Sequence, residues 1–129
     1  MRVLALAIGT IIVTAAHAAN PDAHFEKVLK KLEPVDRLEQ LCDYTAMIHI
    51  RKDQRRFHPD RAIASAIAPP KIASDSIEAK GGAFRSRHHW YEMSYSCTTT
   101  PDHMKVLSFQ LTIGKEIPEE KWASYGLWQ

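Results

Sequence analysis

The side chains best suited to chemistry are seven histidines, two cysteines and a set of arginines grouped in two places. The densest group is Arg85-Ser86-Arg87-His88-His89. Imidazoles in such a cluster could ligate a metal or carry protons. However, adjacent histidines on a strand project to opposite faces, and the flanking arginines would repel a cation. No HExxH spacing or other run with ligand spacing occurs, so the sequence predicts no metal site. Asp102-His103 sets an acid beside a base, but neighbours in a turn rarely orient one another as a catalytic dyad requires. Glu119-Glu120 stands where a helix start favours acids. There is no GxSxG elbow, and the five glycines form neither a Walker nor a dinucleotide loop, so no cofactor is expected. An enzymatic or inhibitory site would have to be assembled from Arg85, His103, Asp102 and the Arg55–Arg61 region.

The arginines carry a different expectation. Arg51, Lys52, Arg55, Arg56 and Arg61 cluster around the predicted end of a long helix, and Arg85 and Arg87 precede the most regular strand. At a helix C-terminus such charges can simply be solvated and compensate the dipole. If the two groups met on one surface, Arg51, Arg55, Arg56, Arg61, Arg85 and Arg87 could bind an anionic envelope component such as a lipid headgroup or acidic glycan. A periplasmic protein is the other partner class expected. The whole chain has 17 basic and 15 acidic residues, a formal +2, which argues against a nucleic-acid protein.

What positions these groups is a chain of 129 residues, enough for one domain. Arg2 followed by the apolar run from Val3 to Ala16, and then Ala16-His17-Ala18, has the anatomy of a secretory leader cleaved before Ala19. The run is shorter than a membrane-spanning helix, and no second one follows, so no transmembrane segment is expected after cleavage. The sequence therefore divides into a signal peptide, 1–18, and a single domain, 19–129, expected in the periplasm or secreted. Cys42 lies on the apolar face of a helix pattern (Leu38, Leu41, Cys42, Thr45, Ile48), and Cys97 on the apolar face of a strand pattern (Tyr91, Met93, Tyr95, Cys97). Two inward thiols in an oxidising compartment predict a structural disulfide.

Asn20-Pro21-Asp22 signals a helix start, and Phe25, Val28, Leu29 and Leu32 form its apolar stripe. Glu33-Pro34 opens a second helix, expected from about Val35 to Lys52. Arg61–Ala68 fits a short helix or a first strand. Ile72–Ala79 reads as a strand, Gly81-Gly82 as a turn, and Ala83-Phe84-Arg85 as the beginning or continuation of the next strand. Trp90–Thr99 alternates clearly, with Trp90 facing away from the Tyr91–Tyr95 stripe. Thr100–His103 is read as a hairpin connection. Val106–Ile113 is the last strand, with Leu107, Phe109, Leu111 and Ile113 sharing one face. A short helix begins at Pro118, and the Trp122–Trp128 tail is expected to pack on the sheet. The predicted fold is α+β: two N-terminal helices on a three- to four-stranded antiparallel meander, with a short C-terminal helix.

Several blocks recur in an order that resembles a known family. They are Arg37-Leu38-Glu39-Gln40-Leu41-Cys42-Asp43, Ala46-Met47, Pro59-Asp60-Arg61, Gly82-Ala83-Phe84-Arg85, Trp90-Tyr91, Ser94-Tyr95-Ser96-Cys97, Asp102-His103-Met104-Lys105-Val106 and Ser108-Phe109. From Leu32 to Trp122 the chain is similar to a bacterial family of small secreted proteins catalogued as a domain of unknown function. The resemblance implies a bacterial, periplasmic protein whose two cysteines belong to the family framework. It brings no activity, substrate or site residue. The family often has glycine just before the Trp90 position, where this chain has His88-His89, so the histidine pair is not read as a shared active site.

Overall fold

The computed structural model describes residues 22–129, so the leader and its cleavage site lie outside the described residues. Helix α1 (Ala23–Lys30) starts at Asp22, whose carboxylate accepts the Phe25 N–H at 2.8 Å. This satisfies one of the donors that a helix start leaves free. Helix α2 (Pro34–Asp53) begins with Pro34 in its first turn, where the missing N–H costs nothing. It buries Leu38, Leu41, Cys42, Thr45, Ala46 and Ile50.

Among the described residues five strands follow: β1 (Pro59–Ile63), β2 (Lys71–Ile72), β3 (Ser76–Ser86), β4 (His89–Thr99) and β5 (Val106–Glu116). The sheet is antiparallel in the order β1-β3-β4-β5, with β2 paired to the outer half of β3. A four-residue helix α3 (Glu119–Trp122) runs into a single 3₁₀ turn (Ala123–Tyr125). The helices cover one face of the sheet, and the architecture is α+β as the patterning predicted.

Residues Arg61–Ala68, open between helix and strand in the sequence, begin as strand β1 and end in a turn. Gly81-Gly82 is not a turn. Strand β3 continues through it, with a bulge between Ala79 and Gly82 where the chain bends. The glycine at 81 serves close approach: a Cβ there would lie 2.5 Å from the backbone nitrogen of Ala68, and its carbonyl accepts the Ile67 N–H at 2.7 Å. The turn between β3 and β4 is instead Arg87-His88, both with positive φ, 50° and 67°. The premise that His88 and His89 sit side by side on a strand therefore fails for His88, because the chain reverses there. Leu107 also departs from its expected face and is 63% exposed. A register shift between Thr98 and Thr99, whose partners are Ser108 and Val106, leaves Leu107 as the extra residue of a bulge. Phe109, Leu111 and Ile113 keep the helix-facing side.

Two cores result. The main one lies between helices and sheet and includes Leu29, Leu38, Leu41, Ile50, Phe57, Ile77, Phe84, Met93, Tyr95 and the disulfide Cys42–Cys97, with Cα atoms 6.0 Å apart. The second lies on the other face, where Trp90, Ala83, Ile117, Trp122 and Leu127 pack together. Trp90 does face away from Tyr91, as alternation requires, but it is fully buried by the C-terminal segment. Its indole Nε1 donates to the Trp128 carbonyl at 2.6 Å, and the Trp122 indole donates to Ile117 at 2.9 Å. No described helix is long and apolar enough to cross a membrane.

Candidate functional site

Strand β4 has two ends with different chemistry. At the start of β4 the end of α2, the α2–β1 connection, the start of β1 and the β3–β4 turn converge. The Arg51 guanidinium donates to the Pro59 carbonyl at 3.0 Å, and the His58 N–H donates to the Ser86 hydroxyl at 2.8 Å. Arg61 lies directly across from Arg85 in the β1–β3 register. The Phe57 ring, which holds the connection down, packs edge-on against Phe84 and Tyr91. The two arginine groups of the sequence therefore meet at one end of the molecule. Residues 51–61 together with 85 and 87 hold seven basic side chains against two acids, Asp53 and Asp60.

These arginines are not equivalent. Arg85 grips Asp60 with two hydrogen bonds, Nε to Oδ1 at 3.0 Å and Nη2 to Oδ2 at 2.7 Å, and its Nη1 reaches the Gln129 oxygen at 3.2 Å. Its side chain is 11% exposed and lies between the rings of Trp90 and Trp128. The Arg85 hydrogen bonds hold the Asp60 carboxyl below the usual carboxylate range. Arg85 is thus a strut that fixes the C-terminal segment, and it offers no free donor fork to a ligand. The other five, Arg51, Arg55, Arg56, Arg61 and Arg87, are exposed and have no carboxylate partner among the described residues. The Arg56 guanidinium lies over the Phe57 ring, its Cζ 4.4 Å from the ring centre, and the residue stays exposed. Beside this array a cleft of about 290 Å³ is lined by His88, His89, Glu116, Glu119, Trp122 and neighbours, with His89 Nδ1 2.9 Å from Glu116 Oε1.

His103 and Asp102 lie beyond the other end of β4. Trp90 and Thr99 stand nine residue steps apart along the strand, about 30 Å at ordinary strand rise. Arg85 and His103 therefore do not share a site. Asp102 accepts from the Thr100 hydroxyl at 2.6 Å and the Met104 N–H at 3.1 Å, and these bonds lower its pKa. His103, buried and with φ 58°, joins three segments. Its Nδ1 is 2.7 Å from the Pro34 carbonyl; its Nε2 is 2.7 Å from the Ser74 carbonyl and 3.1 Å from an Asp75 carboxylate oxygen. All three oxygens only accept, so the ring satisfies both sides when each nitrogen carries a proton.

One buried polar group escaped the sequence reading. Asp43, beside the disulfide on α2, accepts the Tyr95 hydroxyl at 2.8 Å within the helix–sheet interface. Burial pushes its carboxyl up to about 7, against the Tyr95 hydrogen bond and with help from the charge of Glu39. Burial and the Asp43 charge raise the Tyr95 hydroxyl in turn. The signal available in the sequence was an acid one residue from an inward cysteine, with the same face running Glu39-Asp43.

A family model, Domain of Unknown Function (DUF930), matches residues 29–127, nearly the whole described chain. The chain belongs to the DUF930 family. The match takes in the disulfide, both ends of β4 and the Arg85–Asp60 strut, and it stops one residue short of Trp128. No curated protein and no solved structure matches this DUF930 chain.

Proposed function

We propose that this DUF930 domain is an exported, non-enzymatic binding module of the bacterial periplasm that recognises an anionic component of the envelope. The observation that carries the reading is the gathering of Arg51, Arg55, Arg56, Arg61 and Arg87, exposed and without carboxylate partners among the described residues, at one end of the sheet. Guanidinium forks match phosphate and carboxylate geometry and bind them with charge-assisted hydrogen bonds. The leader-like N-terminus and the disulfide support export to an oxidising compartment. Secretion yields a mature chain with an intact mass beginning at Ala19; a retained leader would make the protein anchored instead.

The test is thermal shift of the oxidised mature protein against inorganic phosphate, a polyuronate and vesicles containing phosphatidylglycerol, with zinc and chelator as separate arms. A ligand at 100 times its dissociation constant stabilises by about 2.7 kcal/mol. A shift with an anion that disappears in Arg55→Gln/Arg56→Gln/Arg61→Gln/Arg87→Gln supports the reading. No shift with any anion overturns it, and a zinc shift reversed by chelator would favour a metal-dependent activity at the His89–Glu116 cleft.

A further inference from the structure

The array of arginines has a shape as well as a charge, and the shape narrows the ligand. Its members come from three separate segments: the last turn of α2 (Arg51), the connection and first strand (Arg55, Arg56, Arg61) and the β3–β4 turn (Arg87). The cleft beside them is lined by His88, His89, Glu116 and Glu119, with none of these arginines in its wall. A small anion is held by donors that converge on it. Donors spread over the end of a molecule suit a surface that presents many anions at once.

A second observation stands at the same end. Trp128 is 47% exposed, although its ring lies 5.4 Å from buried Trp90 and its carbonyl is fixed by the Trp90 indole. Arg85, whose charge Asp60 answers, holds it from below, 5.7 Å from the ring centre. A rigidly mounted, half-exposed tryptophan beside unpaired arginines is the pairing found where proteins meet a lipid headgroup layer, because indole prefers that depth and arginine its phosphates. We infer that this end of the domain seats on the surface of an anionic phospholipid bilayer, with Arg51, Arg55, Arg56, Arg61 and Arg87 on the phosphates and Trp128 at headgroup depth. The inference rests on the anion-binding reading above and assigns it a source.

Each arginine near an anionic surface contributes about 1 kcal/mol, or roughly fivefold in partitioning, and the contribution falls off within a Debye length. Removing four gives a several-hundred-fold loss. The experiment is co-sedimentation of the oxidised mature protein with vesicles of phosphatidylcholine containing one third phosphatidylglycerol, against pure phosphatidylcholine vesicles and a soluble polyuronate. The expected result is binding to the anionic vesicles alone, lost in high salt and in Arg55→Gln/Arg56→Gln/Arg61→Gln/Arg87→Gln, whose near-ultraviolet circular dichroism reports its folding. Of the three tryptophans, Trp90 and Trp122 are buried, so a blue shift of emission on binding reports Trp128 and vanishes in Trp128→Phe. Equal binding to both vesicle types, or anionic binding that survives the arginine substitutions, overturns the inference. Polyuronate binding without vesicle binding overturns the lipid assignment and leaves the anion-binding reading standing. Binding to neither overturns both.

Discussion

Replacing Asp43 by asparagine removes a charge that the fold resists and keeps the hydrogen bond that it uses. Asparagine offers Oδ1 to the Tyr95 hydroxyl in the same place, 2.8 Å away in the wild type. The native carboxyl titrates near 7 because burial disfavours its ionised form, whereas the unfolded chain ionises near 3.8. Below pH 3.8 both states hold the proton and the group is neutral in each. As pH rises from about 4 to 7, the unfolded chain gives up a proton that the native state keeps, so wild-type stability falls. Above 7 both are ionised and the deficit levels off. At 1.36 kcal/mol per pH unit the full deficit is about 4 kcal/mol, an upper bound because Asp43 keeps some contact with solvent. Urea unfolding followed by circular dichroism, at half-unit steps from pH 4 to 9, measures it. Asp43→Asn should match the wild type near pH 4 and exceed it by about 2–4 kcal/mol at pH 8, the gap opening between pH 4 and 7. Parallel curves for the two proteins, or a variant less stable than wild type at pH 8, would refute the reasoning.

Three further substitutions probe the frame. Cys42→Ser opens a covalent loop spanning 55 residues and should lower stability by about 4 kcal/mol on the chain-entropy account, seen as a lower Tm that reductant reproduces in the wild type but not in the variant. Gly81→Ala drives a Cβ to within 2.5 Å of the Ala68 backbone and should cost about 1–3 kcal/mol, measured as a reduced urea midpoint; an unchanged midpoint would mean the turn before β2 can shift freely. His103→Ala leaves the Pro34 and Ser74 carbonyls without their donor and should cost about 2–3 kcal/mol, with faster amide exchange in the 100–105 connection and around residues 73–76.

The fold was legible where one period dominated. The Leu38-Leu41-Cys42-Thr45 stripe predicts α2 almost to the residue, and the Tyr91–Cys97 alternation predicts β4 and, with it, the disulfide. Legibility failed where a glycine or an extra residue served tertiary packing. Gly81 carries the local signature of a turn, yet its role is to admit the Ala68 backbone from a segment thirteen residues upstream, a contact no window of sequence contains. Leu107 alternates correctly in sequence but sits on a bulge that moves it out of phase. At the candidate site, the sequence showed two basic groups and left open whether they share a surface, and only the fold brings them to one end of the sheet. Arg85 could not be told from Arg87 in the sequence, two residues away, because only the register of β1 on β3 brings Asp60 to its fork. Asp43 stayed hidden for a similar reason: helix spacing does not reveal that Tyr95 is the side chain waiting opposite it.

The disulfide divides the chain in a way the sheet order does not. Cys42 and Cys97 close a covalent ring that contains the second half of α2, β1, β2, β3 and most of β4. Helix α1 hangs outside it on one side, and β5, α3 and the tail that buries Trp90 hang outside on the other. Both excluded arms are held by noncovalent contacts alone, and β5 forms one margin of the sheet. The oxidised molecule can therefore lift β5 and its tail while the ring stays closed, so its partial openings should be hierarchical, with the arms exchanging before the ring. All five arginines of the candidate site, Arg51, Arg55, Arg56, Arg61 and Arg87, lie within the ring and outlast such an opening, whereas Trp128 departs with the arm. Charge and indole are thus mounted on parts of the molecule with separate lifetimes.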